Sequence, residues 1–163
     1  MAGEVPAPAG VGLTVAALID QGEVEVVHGV RLGLAPVPDE IFDLMFAKHN
    51  AALNGFNQWT INGVAFSDKR MEPMLRLREG RRYRLRMRNA SDDIHPVHLH
   101  RHSFELTSIA GQPTSGVIKD VVMLGGYQEV EVDFVADNPG RTLFHCHQQL
   151  HMDFGFMALF DYL

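Results

Sequence analysis

From Trp59 to its end, the chain is a succession of short segments in which apolar and polar residues alternate, most of them closed by a turn signal. The segments are QWTINGVAF (58–66), RRYRLRMRN (81–89), SFELTSI (103–109), GVIKDVVML (116–124), YQEVEVDFV (127–135), RTLFHCH (141–147) and GFMALFDYL (155–163). REG, NASDD, AGQPTSG, LGGY and ADNPG separate them, supplying the Gly, Pro, Asn and Asp that turns require. Alternation at period two puts one face of a strand in a core and the other in water. Many such strands at regular spacing imply an all-β chain, an antiparallel sandwich or barrel.

Residues 1–56 read differently and are expected to form an N-terminal extension or linker to a domain at 57–163. EVEVVHGVRLGL (23–34) alternates as a strand does, with His28 inside it. In VPDEIFDLMFAKHNAAL (37–53), Ile41, Leu44, Met45 and Ala47 recur at helical spacing behind Pro38 and Asp39, which predicts a short helix. The formal net charge of −6 and pI near 5.8 argue against a nucleic-acid partner. The one basic run, RLREGRRYRLRMR (76–88), interleaves its charges with Leu77, Tyr83, Leu85 and Met87, so it reads as the solvated face of a strand. No stretch has the length of a membrane span. The opening residues lack the basic region of a secretory signal.

Seven of the nine histidines fall in two windows, HPVHLHRHSF and HCHQQLH. The single cysteine, Cys146, sits in the second, between His145 and His147, with His151 four residues beyond the latter. Successive strand side chains point to opposite faces, so parity sorts the set. His98 and His100 share a face, as do His145 and His147, while Cys146 points the other way. If the two strands lie side by side, four imidazoles project from one surface. The thiolate side needs further ligands, for which His95 and His151 are the candidates. Two imidazoles and a thiolate with a weak axial group suit a blue-copper centre, and four imidazoles suit copper, zinc or iron. A zinc site from the same residues is the competing expectation. His28 and His49 read as ordinary structural histidines, and His102 as a hydrogen-bonding neighbour of the cluster.

The two windows resemble the copper-binding motifs of the C-terminal cupredoxin domain of multicopper oxidases, the laccase-like family. WTINGVAF, EGRRYRLRMRN, KDVVML and DNPGRTLFHCH fit the same domain in order, over about residues 57–163. The resemblance implies a cupredoxin-like Greek-key β-sandwich or barrel. It implies type 1 copper ligands at His95, Cys146 and His151, a type 2 ligand at His98, and type 3 ligands at His100, His145 and His147. It further implies a small-molecule or metal-ion electron donor, dioxygen as acceptor, and a periplasmic or extracellular setting.

Three departures stand out. Arg101 replaces the Gly common in HLHGH and is expected to be a solvated side chain. The family's axial position falls on Phe156, with Met157 one beyond; a non-coordinating Phe leaves a three-coordinate copper of high potential. The family assembles its trinuclear cluster from eight histidines, four of them on an N-terminal domain, whereas residues 1–94 hold no HxH pair. The missing half is expected from an N-terminal cupredoxin domain or from a second copy in a homo-oligomer. A non-enzymatic blue-copper electron carrier or copper-binding domain is the alternative.

Overall fold

The computed structural model describes residues 36–163, apart from Asp68 and Arg70, and two short strands before them. The chain divides into a unit at 1–33 and a unit at 34–163. In the first, β1 (Val26–Val27) pairs antiparallel with β2 (Val30–Arg31). The strand expected over 23–34 is therefore represented by this ladder, and His28 lies outside the described residues.

The second unit is a two-sheet sandwich. Its six-stranded sheet runs β4 (Phe56–Ile61), β3 (Glu40–Leu53), β6 (Arg82–Asn89), β11 (Glu129–Val135), β8 (Phe104–Ile109) and β9 (Gln112–Lys119). The five-stranded sheet runs β10 (Val121–Leu124), β7 (His95–Leu99), β12 (Thr142–Cys146), β13 (Met157–Tyr162) and β5 (Leu75–Leu77). Among the described residues the one α-helix is α1 (Gln149–Asp153), too short to cross a membrane.

Alternation builds the core. On β6, Tyr83, Leu85 and Met87 are buried, in one core cluster with Phe46 and Phe134 from the neighbouring strands and Phe144 and Phe160 from the facing sheet. The basic run does face outward, but Arg82, Arg84 and Arg86 are paired across strands. Arg84 Nε donates to Asp133 Oδ1 at 2.7 Å, and Arg86 Nε to Glu131 Oε1 at 3.0 Å.

The helix expected near residues 38–47 is not formed. That stretch belongs to β3, which lies parallel to β6 from Glu40↔Tyr83 to Phe46↔Asn89. Leu44 and Phe46 point inward, while Ile41 and Met45 are exposed. The even-numbered set Phe42, Leu44 and Phe46 carries the true period of two, and pairing with β6 overrides the weaker helical spacing. GVIKDVVML also divides: β9 and β10 end and begin around Asp120 and join different sheets.

Candidate metal centre

The central pair of the five-stranded sheet, β7 and β12, carries the histidine windows. The strands run antiparallel in the register Phe144↔Leu99, His145↔His98 and Cys146↔Val97. On the inner face, Val97, Leu99, Phe144 and Cys146 are at most 1% exposed. The outer face carries His98, His100, His145 and His147.

His95 enters the core at the start of β7, fully buried. His151 reaches the same place from α1, the short helix that follows β12. The return path passes through Gly155, at φ +110°, where a Cβ would lie 2.6 Å from the carbonyl oxygen of Trp59. Only a glycine fits so close an approach without a shift. It brings Phe156 back into the core, fully buried.

Three ligand-type atoms converge there. His95 Nδ1 and His151 Nδ1 are 3.1 Å apart, and Cys146 Sγ lies 3.7 Å from the first and 3.6 Å from the second. A point equidistant from the three is about 2 Å from each, the length of a transition-metal–nitrogen bond. The other nitrogen of His95 is committed. Ser91 Oγ–H donates to Asn89 Oδ1 at 2.8 Å, so Ser91 Oγ accepts from His95 Nε2–H at 3.2 Å. That bond leaves the Nδ1 lone pair aimed at the group, as a metal ligand requires. Phe156 stacks on His95 at 4.7 Å between ring centres, while Met157 faces outward in register with His145.

Burial sets the protonation of the metal-free group. It pushes His95 down to about 4, with neighbouring His151 adding to the effect, and it lowers His151 as well. It pushes the Cys146 thiol up to about 11, against a backbone hydrogen bond from Gln148. The fold thus holds neutral imidazoles and a neutral thiol, and a bound cation would drive off the thiol proton.

The outer cluster is more open. His98 and His100 are partly exposed, His147 is exposed and His145 is 7% exposed. Neighbouring rings in the four lie 4.6–5.6 Å apart between centres. His98 Nδ1 donates to the Asp120 carbonyl at 2.6 Å and His145 Nδ1 to the Cys146 carbonyl at 2.8 Å, which leaves each Nε2 with a lone pair to accept or ligate. His100 Nε2 and His145 Nε2 are 2.9 Å apart. Burial lowers His145, and burial together with His98 and His147 lowers His100.

The donor set and its seclusion can be compared with known proteins. A family model described as multicopper oxidase matches residues 40–163. The chain belongs to the multicopper oxidase family. The buried His95–Cys146–His151 group of this multicopper oxidase domain is consistent with a type 1 copper site. Over 105 residues the chain is 37% identical to the multicopper oxidase MmcO of Mycobacterium tuberculosis, covering 64% of this chain and 20% of that protein. It is 36% identical over 112 residues to the bilirubin oxidase of Albifimbria verrucaria, covering 63% and 20%. The chain therefore spans about one fifth of the length of these relatives. The blue copper oxidase of Nitrosomonas europaea superposes with a TM-score of 0.65 at 26% identity, over 75% of this chain and 43% of that one. A second multicopper oxidase structure gives a TM-score of 0.67 at 20% identity, over 78% and 45%, a likeness of fold.

The remaining residues singled out in the sequence have local roles. His49 is hydrogen-bonded to Thr60 Oγ1 at 3.4 Å. His102 donates from Nδ1 to the His100 carbonyl at 3.0 Å and bonds Tyr162 Oη through Nε2 at 2.7 Å. Arg101 is exposed, as expected of a solvated side chain, and is also anchored. It stands at φ +65°, the region that favours the family's Gly, and Nη2 donates to Asn138 Oδ1 at 2.7 Å and to the Pro139 carbonyl at 2.6 Å. Sequence reasoning missed Asn89, Ser91, Asp93 and Trp59, whose roles come from folding rather than from any spacing along the chain.

Proposed function

We propose that this chain is a copper-dependent oxidoreductase domain that accepts single electrons from a reducing small-molecule or metal-ion donor and delivers them toward dioxygen. In this reading His95, Cys146 and His151 hold type 1 copper, with Phe156 as a non-coordinating axial neighbour. His98 is a type 2 ligand, and His100, His145 and His147 are type 3 ligands. Copper supplies the one-electron chemistry at the buried group and the dioxygen chemistry at the outer one.

The protein's own contribution is arrangement. Burial excludes water from the Cys146 thiol, and the Ser91 hydroxyl fixes the tautomer of His95. Cys146 joins the two faces covalently through its peptide bonds to His145 and His147. A hydrogen bond from His145 Nδ1 to the Cys146 carbonyl gives a second connection. Among the described residues the outer face offers four imidazoles, so in this reading the site needs completion. An N-terminal cupredoxin domain or a second copy of this chain would supply the other half, and two facing copies make eight histidines.

The observation that carries this reading is the convergence of two imidazole nitrogens and one sulfur within 3.7 Å inside the core. Copper addition is expected to turn the protein blue, and the assembled form is expected to consume oxygen with a phenolic or metal-ion donor. A blue protein that consumes no oxygen in any assembly would support an electron carrier or copper-binding domain instead. That second reading is favoured by the half set of histidines. A colourless copper complex would contradict both.

A further inference from the structure

Among the described residues, no hydrogen-bonding neighbour stands to His151 as Ser91 does to His95. The His151 ring is instead stacked on Trp59, 4.1 Å between centres and 24° from parallel. Trp59 is 3% exposed and is itself tethered: Nε1–H donates to Asp93 Oδ2 at 3.0 Å. Asp93 is held from β3 by Lys48, whose Nζ donates to Oδ1 at 3.2 Å and also pairs with Asp92. The backbone of Asp93 is fixed too, since its carbonyl accepts from Asn89 Nδ2 at 2.7 Å. Asn89 uses its other end on the opposite arm, where Oδ1 accepts from both the N–H and the hydroxyl of Ser91, at 2.9 and 2.8 Å. Asn89 Nδ2 also donates to the Gly125 carbonyl at 2.9 Å, which ties the segment to the end of β10.

We propose that the five-residue segment Asn89–Asp93 is one positioning device for both imidazoles of the buried group, acting on His95 through Ser91 and on His151 through Asp93 and Trp59. The inference rests on the reading of that group as a copper site. Neither imidazole can turn its Nδ1 away without breaking a bond to the segment or sliding off the indole. The amide of Asn89 couples the two arms, and Lys48 anchors the segment to the six-stranded sheet. Ser91, Asp93 and Trp59 are positioning residues, because each acts on the metal through a histidine.

The test is a copper titration of the full chain, read by thiolate-to-copper absorption, the cupric EPR spectrum and the dissociation constant. It compares the unsubstituted protein with Ser91→Ala, Trp59→Phe and the double variant. Trp59→Phe keeps an aromatic plate beside His151 and removes only the N–H tether. Each single substitution is expected to weaken copper binding by roughly tenfold and to broaden the EPR spectrum. The double variant should lose less than the product of the two, because a segment released at one arm no longer positions the other.

Single variants that bind within about twofold of the unsubstituted protein, with unchanged spectra, would overturn the inference. A double variant whose loss equals the product would do so too. Should Trp59→Phe fail to fold, Asp93→Ala takes its place, since it removes the acceptor for the indole from the other side of the same bond. It is expected to weaken copper binding by roughly tenfold and to broaden the EPR spectrum; binding within about twofold with an unchanged spectrum would overturn the device. An unsubstituted chain that takes up copper without the absorption contradicts the copper reading itself, and the inference with it.

Discussion

Two clusters of ligand-type side chains lie on opposite faces of the β7–β12 ladder, and they differ in almost every physical respect. Inward, His95, Cys146 and His151 are at most 7% exposed, their ligand atoms already converge, and hydrogen bonding or stacking fixes both rings. Outward, four imidazoles stand in a more open array, with His147 exposed. The inner ligand-type atoms meet within one chain. In the reading proposed above, the outer set needs another domain or a second copy to complete it. A single β-ladder serves both because strand geometry sends alternate residues to opposite sides.

Substituting the inner face should have the largest effect. Cys146→Ser is expected to abolish the thiolate-to-copper absorption completely while leaving the circular dichroism of the fold unchanged. The replacement is nearly isosteric, and the backbone pairing of β12 is untouched. A serine variant that stays equally blue would break the comparison at its centre.

The outer face should behave oppositely. His98→Ala or His147→Ala is expected to keep the blue absorption and to eliminate oxygen consumption in any assembly that has it. Loss of the blue band in both variants, with the protein still folded, would mean that these histidines serve the inner group.

A smaller effect tests the boundary between the faces at residues 156 and 157. Phe156 packs on His95 inside, and Met157 lies opposite His145 outside. Phe156→Met is expected to lower the reduction potential by offering a thioether to the cupric state, at a cost of under about 1.5 kcal/mol in stability. Met157→Leu should leave the potential almost unchanged. Voltammetry of the two variants checks this, and the reverse order would place Met157 on the inner side.

Acidification of the metal-free protein gives the mildest contrast. Burial depresses His95 from its usual 6.5 to about 4 and lowers His151 in the same sense, so the fold favours their neutral forms. The contribution of His95 to stability is complete above pH 6.5 and is lost as the pH falls through about 4, and that of His151 changes in the same direction. Denaturant midpoints measured across that range should fall with pH. His95→Gln should flatten the fall.

The contrast between the faces was largely legible before folding, because it depends on parity alone. His98, His100, His145 and His147 emerged on one side and Cys146 on the other from position in the strand. The devices that finish the inner group were not legible. Trp59, Asn89, Ser91 and Asp93 act across the fold, and the NASDD stretch shows only a turn in sequence. Strand β3 was obscured because Ile41, Leu44 and Met45 mimic a helix, while Phe42, Leu44 and Phe46 keep the period that β6 selects. Arg101 was legible as an exposed side chain, but its bonds to the Asn138–Pro139 turn were not, because they exist only once the chain is closed.

The comparison of faces is tested most directly by sedimentation of the copper-titrated chain with blue absorption and copper content recorded for each species. The expected result is one blue copper per chain in every folded species, with further copper carried only by species in which another chain covers the outer face. A monomer holding additional tight copper would contradict the incomplete outer site. A monomer that cannot hold the blue copper, when the assembly can, would contradict the self-sufficient inner one.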